Sequence, residues 1–344
     1  MPNKRLDADR SNRPFALSQI DSLKHRVQKR SQLLQTVRAF FYAQNLCEVD
    51  TPCLSIAAAP DVHLHSLSTQ VQVPGKKNTQ TFYLHTSPEY PMKRLLCEGS
   101  GDIFFLGKVF RDGDLSPRHQ VEFTLLEWYR LNFSMFDLVD EVTSFLKLVL
   151  GDLSVEILTY QQAFKTYAGI ENIFKVSADQ CQACLKDFNV PEIIGVDKHD
   201  KPLWEQLVLT EVIEAQLGRT KAGKQRMTVI THFPARDAAL AQLSVNNPEV
   251  AERFEVFING MELANGYQEL SDADVYRARF NQSLALRQAA HLPAVPLDEN
   301  LLFSLKQNPL PHCSGVALGF DRLFLLQQGF SDIKQAMGFG IQQA

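Results

Sequence analysis

The strongest constraint on the fold is a pair of aromatic and β-branched runs, DIFFLGKVFR at 102–111 and VEFTLLEWYR at 121–130. Each is short and rich in strand-forming residues, and the gap between them holds Asp112-Gly113-Asp114 and Ser116-Pro117. Gly, Asp and Pro at these points break both helix and ladder, so the two runs read as an antiparallel hairpin with a long loop. Period two sorts the second strand into faces. Phe123, Leu125, Glu127 and Tyr129 point one way, and Glu122, Thr124, Leu126 and Trp128 point the other. A carboxylate on a core-like sheet face is costly unless it meets a cation, so Glu127 faces either a structural base or a positively charged ligand.

Further strands are expected at TFYLHT (81–86), RMTVITHF (226–233), RFEVFING (253–260) and MELANGYQEL (261–270). Leu23, Val27, Leu34, Val37 and Phe41 recur at helical spacing, which predicts a long amphipathic helix over about 18–45, capped by Ser18. Glu48 to Thr51 then run extended into Pro52, which bars helix. From about 134 to 225 the pattern is helical, with candidates at 135–150, 159–168, 177–188 and 203–217, and it reads as an insertion. A helix at about 272–290 and the strand-to-helix unit CSGVALGFDRLFLL (313–326) follow. Strands in runs with helices grouped between them predict an α+β fold, a mixed and mostly antiparallel sheet flanked by helices. No P-loop or dinucleotide fingerprint occurs.

The chain has 344 residues and a net charge of −4, which disfavours a chain-wide basic surface for nucleic acid. The N-terminus lacks an apolar signal region and residues 1–17 read as a flexible segment, so a cytoplasmic protein is expected. The six cysteines are too scattered for a disulfide framework, and Cys181 and Cys184 fit a buried helical stripe better than a metal pair. His63 and His65 share a face, but no third ligand accompanies them.

Three separated segments carry the chemistry. They are the long helix ending in Glu48-Val49-Asp50-Thr51-Pro52, Phe110-Arg111-Asp112-Gly113 through His119 to Glu122-Phe123-Thr124, and Gly315-Val316-Ala317-Leu318-Gly319-Phe320-Asp321-Arg322. In this order they resemble motifs 1, 2 and 3 of the class II aminoacyl-tRNA synthetases, over roughly residues 20–340. Thr86-Ser87-Pro88-Glu89, Glu122 to Tyr129 and Glu262 to Leu270 are similar to the lysyl branch. The resemblance implies a single catalytic domain at 18–344 that uses ATP and Mg²⁺ and forms a homodimer through motif 1. It assigns Arg111, His119 and Arg322 to catalysis on the triphosphate, a role suited to permanently charged, bidentate arginine. Asp112, Gly113, Gln120, Phe123, Glu262, Leu263 and Gly319 complete the implied nucleotide site. Ser87, Pro88, Glu89, Glu127, Tyr129, Asn265, Glu269 and Ala317 line the implied amino-acid site. Glu262 and Glu269 are the implied Mg²⁺ pair, realigned on their strand by a bulge or turn at Asn265-Gly266.

Motif 2 departs from the family. Asp112-Gly113 stands for Asn-Glu, and Gln120-Val121 stands for Asn-Pro. Only about forty residues precede the first motif, too few for an anticodon-binding domain. The sequence therefore resembles the stand-alone paralogues of the lysyl catalytic domain, which join lysine or (R)-β-lysine to a lysine side chain of elongation factor P. Ala317, where tRNA-charging relatives usually have Gly, fits that branch. The resemblance implies neither membrane nor tRNA partners. Two rival readings are a truncated enzyme that charges tRNA and a non-catalytic amino-acid-binding paralogue.

Overall fold

A computed structural model describes residues 17–344 except Lys76 and Asp114, with side chains described from Leu23 onward. The N-terminal segment and Asp114 thus lie outside the described residues. The first elements are α1 (Leu17–Ala43), β1 (Cys47–Glu48), β2 (Leu54–Ser55), β3 (Ser68–Val71), β4 (Gln80–Leu84), α2 (Glu89–Cys97), β5 (Ile103–Phe110) and β6 (Glu122–Leu131). Next come α3 (Met135–Leu150), β7 (Val155–Thr159), α4 (Tyr160–Ala168), α5 (Ala178–Asp187) and α6 (Lys201–Val208). A π turn at Leu209–Ile213 and a 3₁₀ turn at Glu214–Gln216 extend α6. The chain closes with β8 (Met227–Pro234), β9 (Val250–Ile258), β10 (Met261–Gln268), α7 (Ala273–Ala289), α8 (Glu299–Gln307), β11 (Cys313–Gly319), α9 (Phe320–Gln328) and α10 (Ile333–Ala336).

Eight strands form one sheet in the order β1-β5-β6-β11-β10-β9-β8-β7, and β2-β4-β3 form a small second sheet. Within the large sheet only the edge pairs β1–β5 and β7–β8 are parallel. The expected hairpin is β5–β6, in register from Ile103 opposite Tyr129 to Phe110 opposite Glu122. The α+β expectation therefore stands.

The two faces of β6 divide as period two requires. Leu126 and Trp128 join Phe41 of α1, Phe145 of α3 and Phe324 of α9 in one core. Leu125 and Tyr129 join Met92 of α2, Tyr276 of α7 and Leu301 of α8 in another. Thr124 faces the first side, where its Oγ1 accepts from Arg30 at 2.8 Å. Arg30 also pairs with Asp321 at 2.5 Å, and Asp321 accepts the Thr124 backbone N–H at 2.7 Å. These bonds tie α1 to the start of α9.

Several expectations are corrected. Ser18 lies inside α1 by its bounds. Val27 is not in the buried stripe: it is 52% exposed, and Leu33, Val37 and Phe41 form the stripe. The stretch 134–225 is neither all helical nor one unit. Its α3 packs in the central core, and β7 adds a parallel edge strand on β8. The rest builds a separate core around Phe164, Cys181, Cys184, Trp204 and Ile213, against Ile230, Phe233 and Phe257 of β8 and β9. Helices α2 and α8 arise where none was expected. Pro88 and Pro91 fit the first turn of α2, where an N–H has no helical acceptor, and Glu89 complements that end.

Candidate active site

Strands β6, β11 and β10 lie side by side and bring three distant segments onto one sheet face. Ala317 is the register partner of Glu127 on one side and of Asn265 on the other. Gly315 is likewise flanked by Tyr129 and Tyr267. Glu127, Tyr129, Asn265 and Ala317 therefore share a surface, as expected for residues lining one cleft.

At one end of this face Glu127 is buried. Its two oxygens accept from the Ser87 hydroxyl and the Tyr129 hydroxyl, each at 2.8 Å. Burial, reinforced by the nearby Glu89 carboxylate, pushes its pKa up to about 8. The Ser87 hydroxyl also accepts the Glu89 backbone N–H at 3.0 Å, with Pro88 as the N-cap of α2, so this turn aims Ser87 and Glu89 at the cleft. Glu269 lies just past β10, 6% exposed. A Cβ at Gly315 would stand 2.3 Å from the Tyr129 ring and 2.5 Å from Glu269 Oε1. Only glycine fits between them. Burial raises Glu269 to about 7, against the pull of Lys93.

Lys93, like Glu255, is a residue that sequence reasoning missed. It is fully buried in α2, with Nζ 2.6 Å from Glu89 and 2.7 Å from Glu269. It also donates to the Tyr276 hydroxyl at 3.0 Å. In sequence, Glu89 and Lys93 look like an ordinary surface pair four apart on a helix, and only the tertiary placement of Glu269 distinguishes them.

The other end gathers cations. Arg322, in the first turn of α9, donates to the Glu262 carbonyl at 2.7 Å and to His119 Nε2 at 2.6 Å. His119 Nδ1 lies 2.8 Å from the Ser116 hydroxyl, so the motif 2 loop is folded back onto motif 3. Gly319 caps α9, and a Cβ there would lie in ordinary contact with the Arg322 side chain, 3.4 Å from it. The Arg111 guanidinium lies over the Phe123 ring, 5.1 Å from its centroid, and its Nε donates to the Thr86 carbonyl at 3.4 Å. Asp112 donates its N–H to the His65 carbonyl at 2.8 Å, and its carboxylate accepts from Gly113 N–H at 2.9 Å. This leaves His65 in a backbone bridge to Asp112. Gln120 is 2% exposed, and its Oε1 has no hydrogen-bond partner among the described residues.

Two implied assignments fare differently. The bulge that realigns Glu262 sits at Leu263, not at Asn265-Gly266, because β10 pairs Glu262 with Phe257 but Ala264 with Val256. One extra residue swings Glu262 onto the face of Glu255 and Asn265. Leu263 points the opposite way, into the core behind the sheet, 2% exposed, so its side chain takes no part in the site. Glu269 does not meet Glu262. Seven residues of extended chain separate them by roughly 20 Å, too far to share an ion. The acids beside Glu262 are Glu255 and Glu214. Burial raises both, and Glu262 raises each further. Glu255 is held by Arg253 at 2.5 Å and by Asn265 at 3.1 Å. Among the described residues no group of three or more His, Cys, Asp or Glu forms a ready metal cage. An acidic edge completed by phosphate oxygens still fits Mg²⁺, which takes one or two carboxylates and its substrate's phosphates.

The geometry is thus bipolar: buried carboxylates at one end and arginines at the other, along about one strand length. It suits a substrate with an ammonium at one end and a triphosphate at the other. The family description "tRNA synthetases class II (D, K and N)" matches residues 6–343. Curated relatives named elongation factor P–(R)-β-lysine ligase are 42% identical in Haemophilus ducreyi, over 92% of this chain and 94% of the relative. The Avibacterium paragallinarum relative is 41% identical and the Pectobacterium atrosepticum relative 42%, each over 92% of this chain and 95% of the relative. With motif 1 on α1, motif 2 across the β5–β6 hairpin and motif 3 from β11 into α9, the chain belongs to the class II tRNA synthetases of the D, K and N group.

Proposed function

We propose that the chain is an ATP-dependent ligase that activates lysine or (R)-β-lysine as the adenylate and joins it to a lysine side chain of elongation factor P. One observation carries this reading: Glu127, Glu89 and Glu269 converge on a pocket whose only close cation among the described residues is Lys93, so an arriving ammonium finds a buried carboxyl group, Glu127, that it can ionise and pair with. The shared name of the curated relatives supports the same substrates.

In the first step a carboxylate oxygen of the amino acid attacks the α-phosphorus of ATP. The bond to the bridging oxygen breaks and pyrophosphate leaves with the electron pair. Arg111 holds the α-phosphate and Arg322 the γ-phosphate, neutralising charge as it develops. Phe123 stacks on adenine, while His119, Gln120 and the Asp112-Gly113 backbone border the nucleotide. Glu127 and Tyr129 hold the side-chain ammonium, and Asn265, whose buried Oδ1 has no hydrogen-bond partner among the described residues, is an acceptor for the other amine. In the second step the acceptor amine attacks the acyl carbon, AMP leaves, and the amine sheds a proton. Mg²⁺ would be held by Glu262 and Glu255 with the phosphates, where it supplies charge neutralisation and orientation. Ala317 floors the amino-acid pocket between Glu127 and Asn265.

Pyrophosphate exchange that depends on lysine or β-lysine is expected, with loss of about 100-fold or more in Arg111→Ala. No exchange with either isomer would overturn the proposal. The reading includes a cytoplasmic homodimer through α1, where Val27 is exposed, and no tRNA partner. Sedimentation showing only monomer would refute the dimer. No described helix is long and apolar enough to cross a membrane.

A further inference from the structure

The contacts of Lys93 point beyond a packing role. A lysine with no exposed surface is costly unless its charge is matched. Here it is overmatched, because Glu89 and Glu269 both reach Nζ within 2.7 Å. The Tyr276 hydroxyl completes its donors, and Nζ lies 5.4 Å from the centre of the Tyr276 ring. These partners come from three elements: α2, the end of β10 and α7. The two carboxylates differ in access. Glu269 is 1% exposed at its side chain, but Glu89 is 22% exposed, so the pair runs from the buried wall toward the cleft. Glu127 stands beside them, linked to Glu89 through the Ser87 hydroxyl, which bonds to both the Glu127 carboxylate and the Glu89 backbone.

We propose that Lys93 is a positioning residue for amino-acid recognition: its ammonium clamps Glu89 and Glu269 into one fixed pair, so that the pocket selects a substrate bearing a second ammonium. This rests on the proposed function for the identity of the substrate and deepens it. Without Lys93, two carboxylates this close would repel and swing apart, or one would take up a proton. Either change removes the pre-set geometry that an incoming amine meets. Among the described residues the polar partners of Lys93 are Glu89, Glu269 and Tyr276, none of them assigned to the phosphates, so nucleotide binding is expected to be untouched. The role differs from that of Glu127, which meets the substrate directly.

The experiment compares wild type, Lys93→Met and Lys93→Arg by calorimetric lysine and ATP binding, pyrophosphate-exchange kinetics and thermal melting. Lys93→Met is expected to weaken lysine binding by about 100-fold, in the exchange KM as well as the calorimetric Kd, with ATP affinity unchanged. Lys93→Arg keeps the charge in a broader planar head and is expected to recover to within about tenfold of wild type. If Lys93→Met does not fold, Lys93→Arg decides, because an altered clamp must still raise the lysine KM selectively. Equal lysine affinity in a folded variant, or lysine and ATP affinity falling together with the melting temperature, overturns the proposal. If wild type itself binds neither lysine nor β-lysine, the proposed function fails first, and that result is distinct from failure of the clamp.

Discussion

Replacing Glu127 with Gln separates charge from shape at the centre of the amino-acid pocket. The carboxylate accepts from Ser87 and Tyr129, both hydroxyls that can reverse their roles, so an amide of the same size fits without leaving an unpaired group. Its pKa is pushed up to about 8, chiefly by burial, with Glu89 adding to the rise, Lys93 opposing it and Tyr129 bonded alongside. At pH 7 the empty pocket therefore holds a mostly neutral Glu127, and ionising it costs on the order of 1 kcal/mol. A buried pair with an ammonium contributes about 2–5 kcal/mol, which leaves roughly 1–4 kcal/mol after that cost. Glu127→Gln should then raise the lysine KM in pyrophosphate exchange by about 5- to 800-fold at pH 7, with ATP KM unchanged. The sign with pH follows. Lysine binding in wild type should tighten about tenfold between about pH 7 and 9 as Glu127 loses its proton, and the variant should lack that gain. Stability moves the other way. A carboxyl group whose folded pKa is raised stabilises the fold below its unfolded pKa, and that contribution is lost as pH rises toward 8, so the variant should melt at or above wild type at neutral pH. An unchanged lysine KM, or an equal rise for ATP, would contradict a charge-pairing role for Glu127.

Three other perturbations probe different parts of the structure. Gly315→Ala drives a methyl group into the Tyr129 ring and Glu269, so melting should show a loss of about 1–3 kcal/mol and lysine binding should fall sharply. Glu255→Gln should shift the Mg²⁺ dependence of exchange to higher concentration, whereas the Lys93-bound Glu269 should affect the lysine KM instead; a Mg²⁺ shift for Glu269→Gln alone would refute this assignment. Asp321→Ala leaves Arg30 and the Thr124 N–H without their shared acceptor. It should cost about 3 kcal/mol or more in chemical unfolding.

The sheet was legible in the sequence where alternation is strict. Phe123, Leu125 and Tyr129 against Leu126 and Trp128 sort correctly because β6 carries a separate packed core on each of its two faces. β7 was not legible: Gly151 and Asp152 mark the end of α3, but the five-residue strand then runs directly into α4 at Tyr160, with no turn residue between strand and helix. α2 was hidden by two prolines that usually break helices but fit a first turn. The bulge at Leu263 cannot be seen in composition, since the residue is an ordinary buried apolar one, and it decides which acids neighbour Glu262. Lys93 escaped for the same reason: burial of a lysine is a property of the partners that surround it, and Glu269 and Tyr276 are about 180 residues away.

The most direct test is the intact mass of elongation factor P after incubation with this protein, ATP, Mg²⁺ and each lysine isomer. The proposed function predicts a gain equal to one lysyl residue on a lysine side chain, lost with Arg111→Ala and suppressed at limiting lysine with Glu127→Gln. Elongation factor P of unchanged mass, alongside aminoacylated tRNA or alongside amino-acid binding with no adenylate, would contradict it.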